Sequence, residues 1–452
     1  MKYFLAIIGG GPAGYTAAEK ASKAGKDVVL FEQNAVGGTC LNVGCIPTKS
    51  LLYGAKQYYN ATHAQKYGVT AENVVFDFAA MQKRKTIVVR KLVAGIKQRL
   101  NNEHCTLVNG FAKVESRTDE LVTIRCNDEV FEAENLMICT GSTNFVPPIP
   151  GIKDNEHVWD STDALNATEL PKSIIIVGGG VIGMEFATLY HELGIHVTVI
   201  EALPSILPNL DPEVVSVLAD KYRKAGIQIL TETRVEKIEG SEVFISSSSS
   251  ESMPSSLSAD KILVSVGRRA NLNGLEALND LELNRGAIVI DDFCKTNLPN
   301  VYACGDVTGK IMLAHVASRQ AEVAIGRMLK VIPLQRIAYN AIPSVVYTNP
   351  EIASVGITES QAESMSIPVE VRRLPMTFSG RFMAENEGET GLCKMIVDAK
   401  NHSVLGVHMI GNPCSEFVSA ASFAVRMGYT LAEFQQVVFP HPTVSEILHE
   451  LL

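Results

Sequence analysis

The chain has 452 residues, enough for roughly three domains of ordinary size. With 46% hydrophobic residues it can bury large cores, and a formal charge of −9 argues against a general nucleic-acid binder, which is usually basic. No run of about 18 uncharged apolar residues exists, so no membrane span is expected.

The opening residues Met1 to Ile8 are apolar, but the run is too short for a signal peptide and ends in glycines, so it predicts a buried strand. Phe4 to Ile8 as strand, Gly9, Gly11 and Gly14 as turn, Tyr15 to Ala24 as helix, and Asp27 to Phe31 as strand ending at Glu32 make one βαβ unit. In such a unit the first glycine makes the turn, the second admits a pyrophosphate, and the third packs helix on strand. The helix N-terminus favours an anion, and Glu32 would bind ribose hydroxyls.

Cys40 and Cys45 follow in Gly37-Gly38-Thr39-Cys40-Leu41-Asn42-Val43-Gly44-Cys45-Ile46-Pro47-Thr48-Lys49. Their spacing permits a disulfide. A helix is predicted from Cys45 past Ala55, and a helix N-terminus lowers a thiol pKa. The chain has nine cysteines. Cys105, Cys126, Cys139, Cys294, Cys393 and Cys414 are expected as small core residues, and Cys304 as packed. Scattered cysteines are unlike a secreted disulfide framework, so the expected compartment is the cytoplasm, where a lasting disulfide is more often catalytic. No metal site is read.

Residues 84–101 predict a long helix with Ile87, Val88, Leu92, Ile96 and Leu100 near helical spacing. Pro147-Pro148-Ile149-Pro150 marks a boundary. The βαβ pattern then recurs, with a strand Ser173 to Val177, glycines Gly178, Gly180 and Gly183, a helix to about Leu193, and a strand His196 to Ile200 ending at Glu201. Two complete units imply two dinucleotides, for which a flavin and a nicotinamide are the natural pair. Glu201 accepts from a free 2′-hydroxyl and repels a 2′-phosphate, and residues 202–209 hold no Arg or Lys, so NAD is expected over NADP. The serine run Ser246 to Ser250 predicts a flexible loop. Ile367 to Met376 and Cys393 to Gly406 read as strands of an antiparallel sheet, and Cys414 to Met427 as a helix. Near the end, His441 is a candidate base near neutrality, with Glu446 placed to orient it.

The two glycine fingerprints, the Gly38 to Lys49 cysteine stretch and His441-Pro442-Thr443-Val444-Ser445-Glu446 resemble the flavoprotein disulfide reductases, the class I pyridine nucleotide-disulfide oxidoreductases, over essentially the whole chain. Leu313-Ala314-His315 is similar to the lipoyl-directed branch. The resemblance implies an α/β fold with two Rossmann-like dinucleotide-binding domains, for FAD and NAD, and a C-terminal α+β dimerisation domain. Its expected boundaries are 1–145 and 267–335 for the FAD domain, 146–266 for the NAD domain and 336–452 for the interface domain.

For FAD it implies Gly9, Gly11, Gly14, Glu32, Thr39, Lys49, Phe111, Ala112, Thr140, Gly141, Ser142, Asp306 and Ala314. Gly178, Gly180, Gly183, Glu185, Glu201, Val235 and Gly267 are implied for NAD. Cys40 would meet the substrate and Cys45 the flavin. Lys49 would pair with Glu185 beside the flavin ring, and His441 with Glu446 would serve the partner's disulfide in a homodimer. The implied activity is NAD-dependent oxidation of a dihydrolipoyl group carried by an acyltransferase or a glycine-cleavage H-type protein. Sister enzymes fit less well. Glutathione reduction is disfavoured by Glu201, mercuric and large thioredoxin reductases by the lack of terminal cysteines, and soluble transhydrogenation by the intact pair. A purely structural role docked to a lipoyl complex is the alternative from another class. One departure from the family is Phe439, where a second histidine often stands.

Overall fold

The computed structural model describes residues 2–247, 255–333 and 336–452. Its contacts divide into two compact units. The first holds residues 1–50, 79–145 and 267–337, and the second holds 51–78, 146–266 and 338–452.

The first unit is built on the strand Lys2–Ile8, which pairs in parallel with Val28–Glu32 on one side and Glu129–Ile138 on the other. Cys105–Asn109 extends one edge in parallel. The long strand Glu129–Ile138 forks, its start pairing antiparallel with Val122–Cys126 and its end parallel with Val301–Ala303. Leu5, Ile7, Val29, Leu30, Leu136 and Met137 have no solvent exposure, as parallel strands covered on both faces require. Helix Pro12–Lys23 covers one face and lays Ala17, Ala18 and Ala21 on the sheet, small side chains that allow close approach.

The second unit repeats the theme. Gln228–Leu230, His196–Ile200, Ser173–Val177, Lys261–Val264 and Val158–Trp159 form a five-stranded parallel sheet. A three-stranded antiparallel sheet, Thr233–Glu239, Glu242–Ser247 and Ser256–Ser258, follows. The C-terminal sheet is antiparallel, in the order Ser344–Val346, Ile352–Gly356, Val404–Ile410, Leu392–Asp398, Val369–Pro375. Helix Cys414–Met427 packs on it through Val418, Ala421, Ala424 and Val425 and leaves Phe423 and Met427 outward.

Several sequence expectations need correction. The long helix is Phe78–Leu100. It buries Ile96 and Leu100, whereas Ile87 and Leu92 stay 43% and 44% exposed, so the apolar face is covered only at its C-terminal end. Cys393 to Gly406 is two strands joined by a turn, with Asp398 accepting the Lys400 N–H. Ser246 and Ser247 end a paired strand, and the remainder of the serine run lies outside the described residues. Cys105 is half-buried at a sheet edge, while Cys126, Cys139, Cys294, Cys304, Cys393 and Cys414 are buried as expected. Among the described residues no helix is long and apolar enough to cross a membrane.

Candidate active site

In the first unit, Gly9 leaves its strand at φ +105°, a conformation that disfavours a side chain. A Cβ on Gly14 would lie 1.8 Å from the Gly9 carbonyl, so the third glycine is required for the helix to pack against the turn. Gly11 starts helix Pro12–Lys23 with no side-chain cap and no acid in the first turn. The first-turn N–H groups and the dipole are thus directed at an anion, the arrangement a pyrophosphate fits. Glu32 ends the second strand and accepts from the Gly10 N–H at 2.7 Å and the Asn34 N–H at 2.8 Å.

The cysteine stretch is built against that turn. A Cβ on Gly38 would come within 2.6 Å of Gly11 Cα. Two helices carry the pair, Gly38–Val43 with Cys40 and Cys45–Thr62 with Cys45 as first residue. The expected single helix is therefore preceded by a short one. Gly44 joins them where a Cβ would press on the Thr39 carbonyl at 2.9 Å and Cys40 Cα at 3.3 Å. Asn42 Nδ2 donates to the Ala35, Val36 and Gly38 carbonyls and holds the loop closed. Both cysteines are thiols in this structure, Cys40 half-buried and Cys45 exposed.

The Cys40 thiol is raised far above its ordinary pKa, first by its hydrogen bond with Cys45, then by burial, against an opposing pull from Lys49. Thr39 is exposed and Lys49 half-buried, one turn beyond Cys45.

Other predicted flavin contacts converge in the same unit. Ser142 Oγ donates to Asp306 Oδ2 at 2.6 Å. Arg268 donates to Ser142 through Nε at 2.8 Å and to its carbonyl through Nη2 at 2.7 Å. Thr140 Oγ1 donates to the Asn271 carbonyl, and Asn271 N–H returns to the Gly141 carbonyl at 3.0 Å. The Gly305 N–H, held by Gln320 Oε1 at 2.6 Å, turns the chain into Asp306. Phe111 is 42% exposed, Ala112 is buried at the start of strand Ala112–Arg117, and Ala314 opens helix Ala314–Met328. Gly267 counts with this unit at φ +123° and accepts the Phe145 N–H. Arg268 as orienter of Ser142 and Asp306 was missed in sequence, because its partners are far away in the chain.

In the second unit the glycine turn is a near copy of the first. Gly178 has φ +108°, and a Cβ on Gly183 would lie 2.0 Å from the Gly178 carbonyl. Gly180 starts helix Val181–Glu192, again uncapped and without an acid in its first turn. Glu201 accepts from the Gly179 N–H at 2.7 Å and the Leu203 N–H at 2.8 Å, the same two bonds that Glu32 makes. Val235 lies half-buried in strand Thr233–Glu239. Glu185 is 4% exposed and accepts the Tyr347 N–H at 3.1 Å.

At the C-terminus His441 Nδ1 lies 2.9 Å from Glu446 Oε1, and Glu446 Oε2 accepts the Thr443 N–H at 2.7 Å. The Thr443 N–H first and His441 second hold the Glu446 carboxyl below its ordinary pKa, so it stays anionic as an orienter must. The imidazole is 82% exposed, with Nδ1 directed at the carboxylate and Nε2 available to a substrate. Phe439 packs between Phe434 and His449, at ring distances of 5.9 and 6.0 Å. It is a core contact, outside the pair His441–Glu446.

These two dinucleotide turns, the dithiol and the C-terminal histidine define a disulfide oxidoreductase class, and the chain belongs to the pyridine nucleotide-disulphide oxidoreductase family. The family profile covers residues 3–321, and its dimerisation-domain profile covers residues 342–452. Curated relatives include the dihydrolipoyl dehydrogenases of Chlamydia pneumoniae, 35% identical over 98% of this chain and 95% of that protein, and of Mycoplasma pneumoniae, 36% identical over 100% and 98%. Among solved structures, the HOCl-induced flavoprotein disulfide reductase RclA from Escherichia coli matches at TM-score 0.86 and 30% identity over 99% of each chain. LpdA from Mycobacterium tuberculosis matches in fold at TM-score 0.90 and 24% identity, over 99% of this chain and 98% of that one.

Proposed function

We propose that this protein oxidises dihydrolipoyl groups to lipoyl groups and reduces NAD+ to NADH, with FAD as the intermediate carrier. The observation that carries this reading is the Cys40–Cys45 dithiol seated on the first glycine turn, in a chain similar over its full length to dihydrolipoyl dehydrogenases. Bound FAD supplies the two-electron acceptor that passes a hydride to NAD+.

The protein's residues do the rest. Glu446 fixes the His441 ring, and its Nε2 takes a proton from a substrate thiol. The substrate thiolate attacks Cys40 Sγ of the oxidised pair, and Cys45 leaves as thiolate. The second substrate sulfur then attacks the first and displaces Cys40, its proton passing to the departing Cys40 thiolate; the cyclic disulfide leaves and His441 returns the first proton to solvent. Cys45, left as thiolate, would be the sulfur that donates to bound FAD, with Lys49 assigned to the FAD site and Glu185 to the NAD site. The matched dimerisation domain supports a homodimer, in which His441 serves the dithiol of the second copy. FAD is assigned to the first-unit residues that the family motifs imply, from Gly9 to Ala314, and NAD to Gly178, Gly180, Gly183, Glu185, Glu201, Val235 and Gly267. The domain boundaries 145/146, 266/267 and 335/336, a cytoplasmic location and a lipoyl-bearing acyltransferase or H-type protein as partner belong to the same proposal.

Turnover of free dihydrolipoamide with NAD+, set beside NADP+ and beside glutathione disulfide with NADH, tests it. Preference for dihydrolipoamide and NAD+ is expected, and faster turnover of another disulfide, or of NADP+, overturns it. His441→Ala should slow the reaction by roughly 10²–10⁴.

A further inference from the structure

Helix Val181–Glu192 presents Glu185, Thr188 and Glu192 at i, i+3 and i+7, one face of an α-helix. All three are at most 6% exposed. Each is bonded, directly or through one side chain, to the segment Tyr347 to Asn349. The Tyr347 N–H donates to Glu185 Oε1 at 3.1 Å. The Asn349 N–H donates to the Tyr222 hydroxyl at 3.3 Å, which lies 2.5 Å from Thr188 Oγ1. Asn349 Nδ2 donates to Glu192 Oε1 at 2.6 Å, and Asn349 Oδ1 accepts from Asn412 Nδ2 at 2.9 Å.

We propose that Asn349 and Glu192 are positioning residues, which set the register of residues 347–349 on the helix and thereby the Tyr347 N–H that aims Glu185. The segment has no regular pairing of its own between strand Ser344–Val346 and Ile352–Gly356, so these side chains determine where it lies. The inference rests on the function proposed above, in which Glu185 belongs to the redox machinery.

The anchor is also titratable. Burial pushes the Glu192 carboxyl up to about 7, with Asn349, Lys56 and Lys221 pulling the other way. The other groups around it are Tyr59 on the cysteine helix and Tyr222 on helix Pro212–Lys224. Behind them stand Glu389, paired with Lys221 and Lys66, and His191, which faces His63 and Lys221. Above neutrality Glu192 is anionic, and its bond to Asn349 is charge-assisted. As pH falls through about 7 it takes a proton, the attraction of the two lysines is lost, and its grip on Asn349 loosens. Glu185 geometry thus becomes linked to pH through a group outside the chemistry.

The test uses the full-length holoenzyme with Glu192→Gln, Asn349→Ala and wild type. Gln keeps the carbonyl acceptor and removes the titration. Reduced anaerobically with NADH, wild type should show a step near pH 7 in its long-wavelength absorbance that Glu192→Gln lacks; His441 is present in both and cancels. Asn349→Ala should lower kcat roughly tenfold with little change in KM for the dithiol. Superimposable pH profiles for wild type and Glu192→Gln overturn the proposal, even if Asn349→Ala does not fold. Reduction by NADH needs no lipoyl substrate, so inactivity of wild type toward dihydrolipoamide would overturn the substrate reading while leaving the spectral comparison decisive for Glu192.

Discussion

Cys40 and Cys45 are chemically identical residues that the fold makes different. Cys45 stands at the exposed first position of a long helix, whereas Cys40 is half-buried and its thiol pKa is raised, first by the hydrogen bond with Cys45 and then by burial. Cys45→Ser should abolish the long-wavelength thiolate-to-flavin absorbance on reduction, while Cys40→Ser should retain it; a band persisting in Cys45→Ser would reverse the two roles. The pair and His441 were legible in sequence because their spacing and neighbours are local. Arg268 was not, because its bond to Ser142 joins residues 126 apart in the chain.

At the scale of elements, the two strand–turn–helix units repeat each other down to the two N–H groups each terminal glutamate accepts. Their glycines nevertheless do separable work. A Cβ on Gly183 would strike the Gly178 carbonyl at 2.0 Å, whereas one on Gly180 meets nothing within 4 Å. Gly183→Ala should therefore cost about 2 kcal/mol or more of stability, read as a lower Tm. Gly180→Ala should keep wild-type Tm and raise the KM for NAD+, because its Cβ occupies the space of the approaching pyrophosphate. Equal Tm losses in both would remove this division. The helix Phe78–Leu100 was legible as a helix from its spacing, but not which of its apolar residues are covered, since that depends on partners distant in sequence.

At the scale of the molecule, the second unit joins helix Pro212–Lys224 to its C-terminal antiparallel sheet through a charge cluster centred on one buried lysine. Lys394, 1% exposed, reaches Asp211 at 2.9 Å, Glu359 at 2.7 Å and Glu213 at 2.5 Å, and Arg373 braces the last two from outside. Asp211 is wholly buried and also caps helix Pro212–Lys224. Lys394→Met should cost about 3–5 kcal/mol, because it leaves that carboxylate buried without its cation. Adding Asp211→Asn should recover part of the lost Tm, and a single substitution without effect on Tm would show that the cluster contributes nothing net.

The sequence by itself determined the paired dinucleotide units, the dithiol, the base and the family, because each is a short-range pattern in which glycine conformation, helix polarity or residue spacing carries the chemistry. Only the tertiary structure decided how far each thiol is buried and which apolar faces are covered. It also decided that Glu185, Thr188 and Glu192 grip residues 347–349, and that Lys394 closes on Asp211. Those depend on burial and on side chains brought together from distant parts of the chain, and neither is encoded in local order.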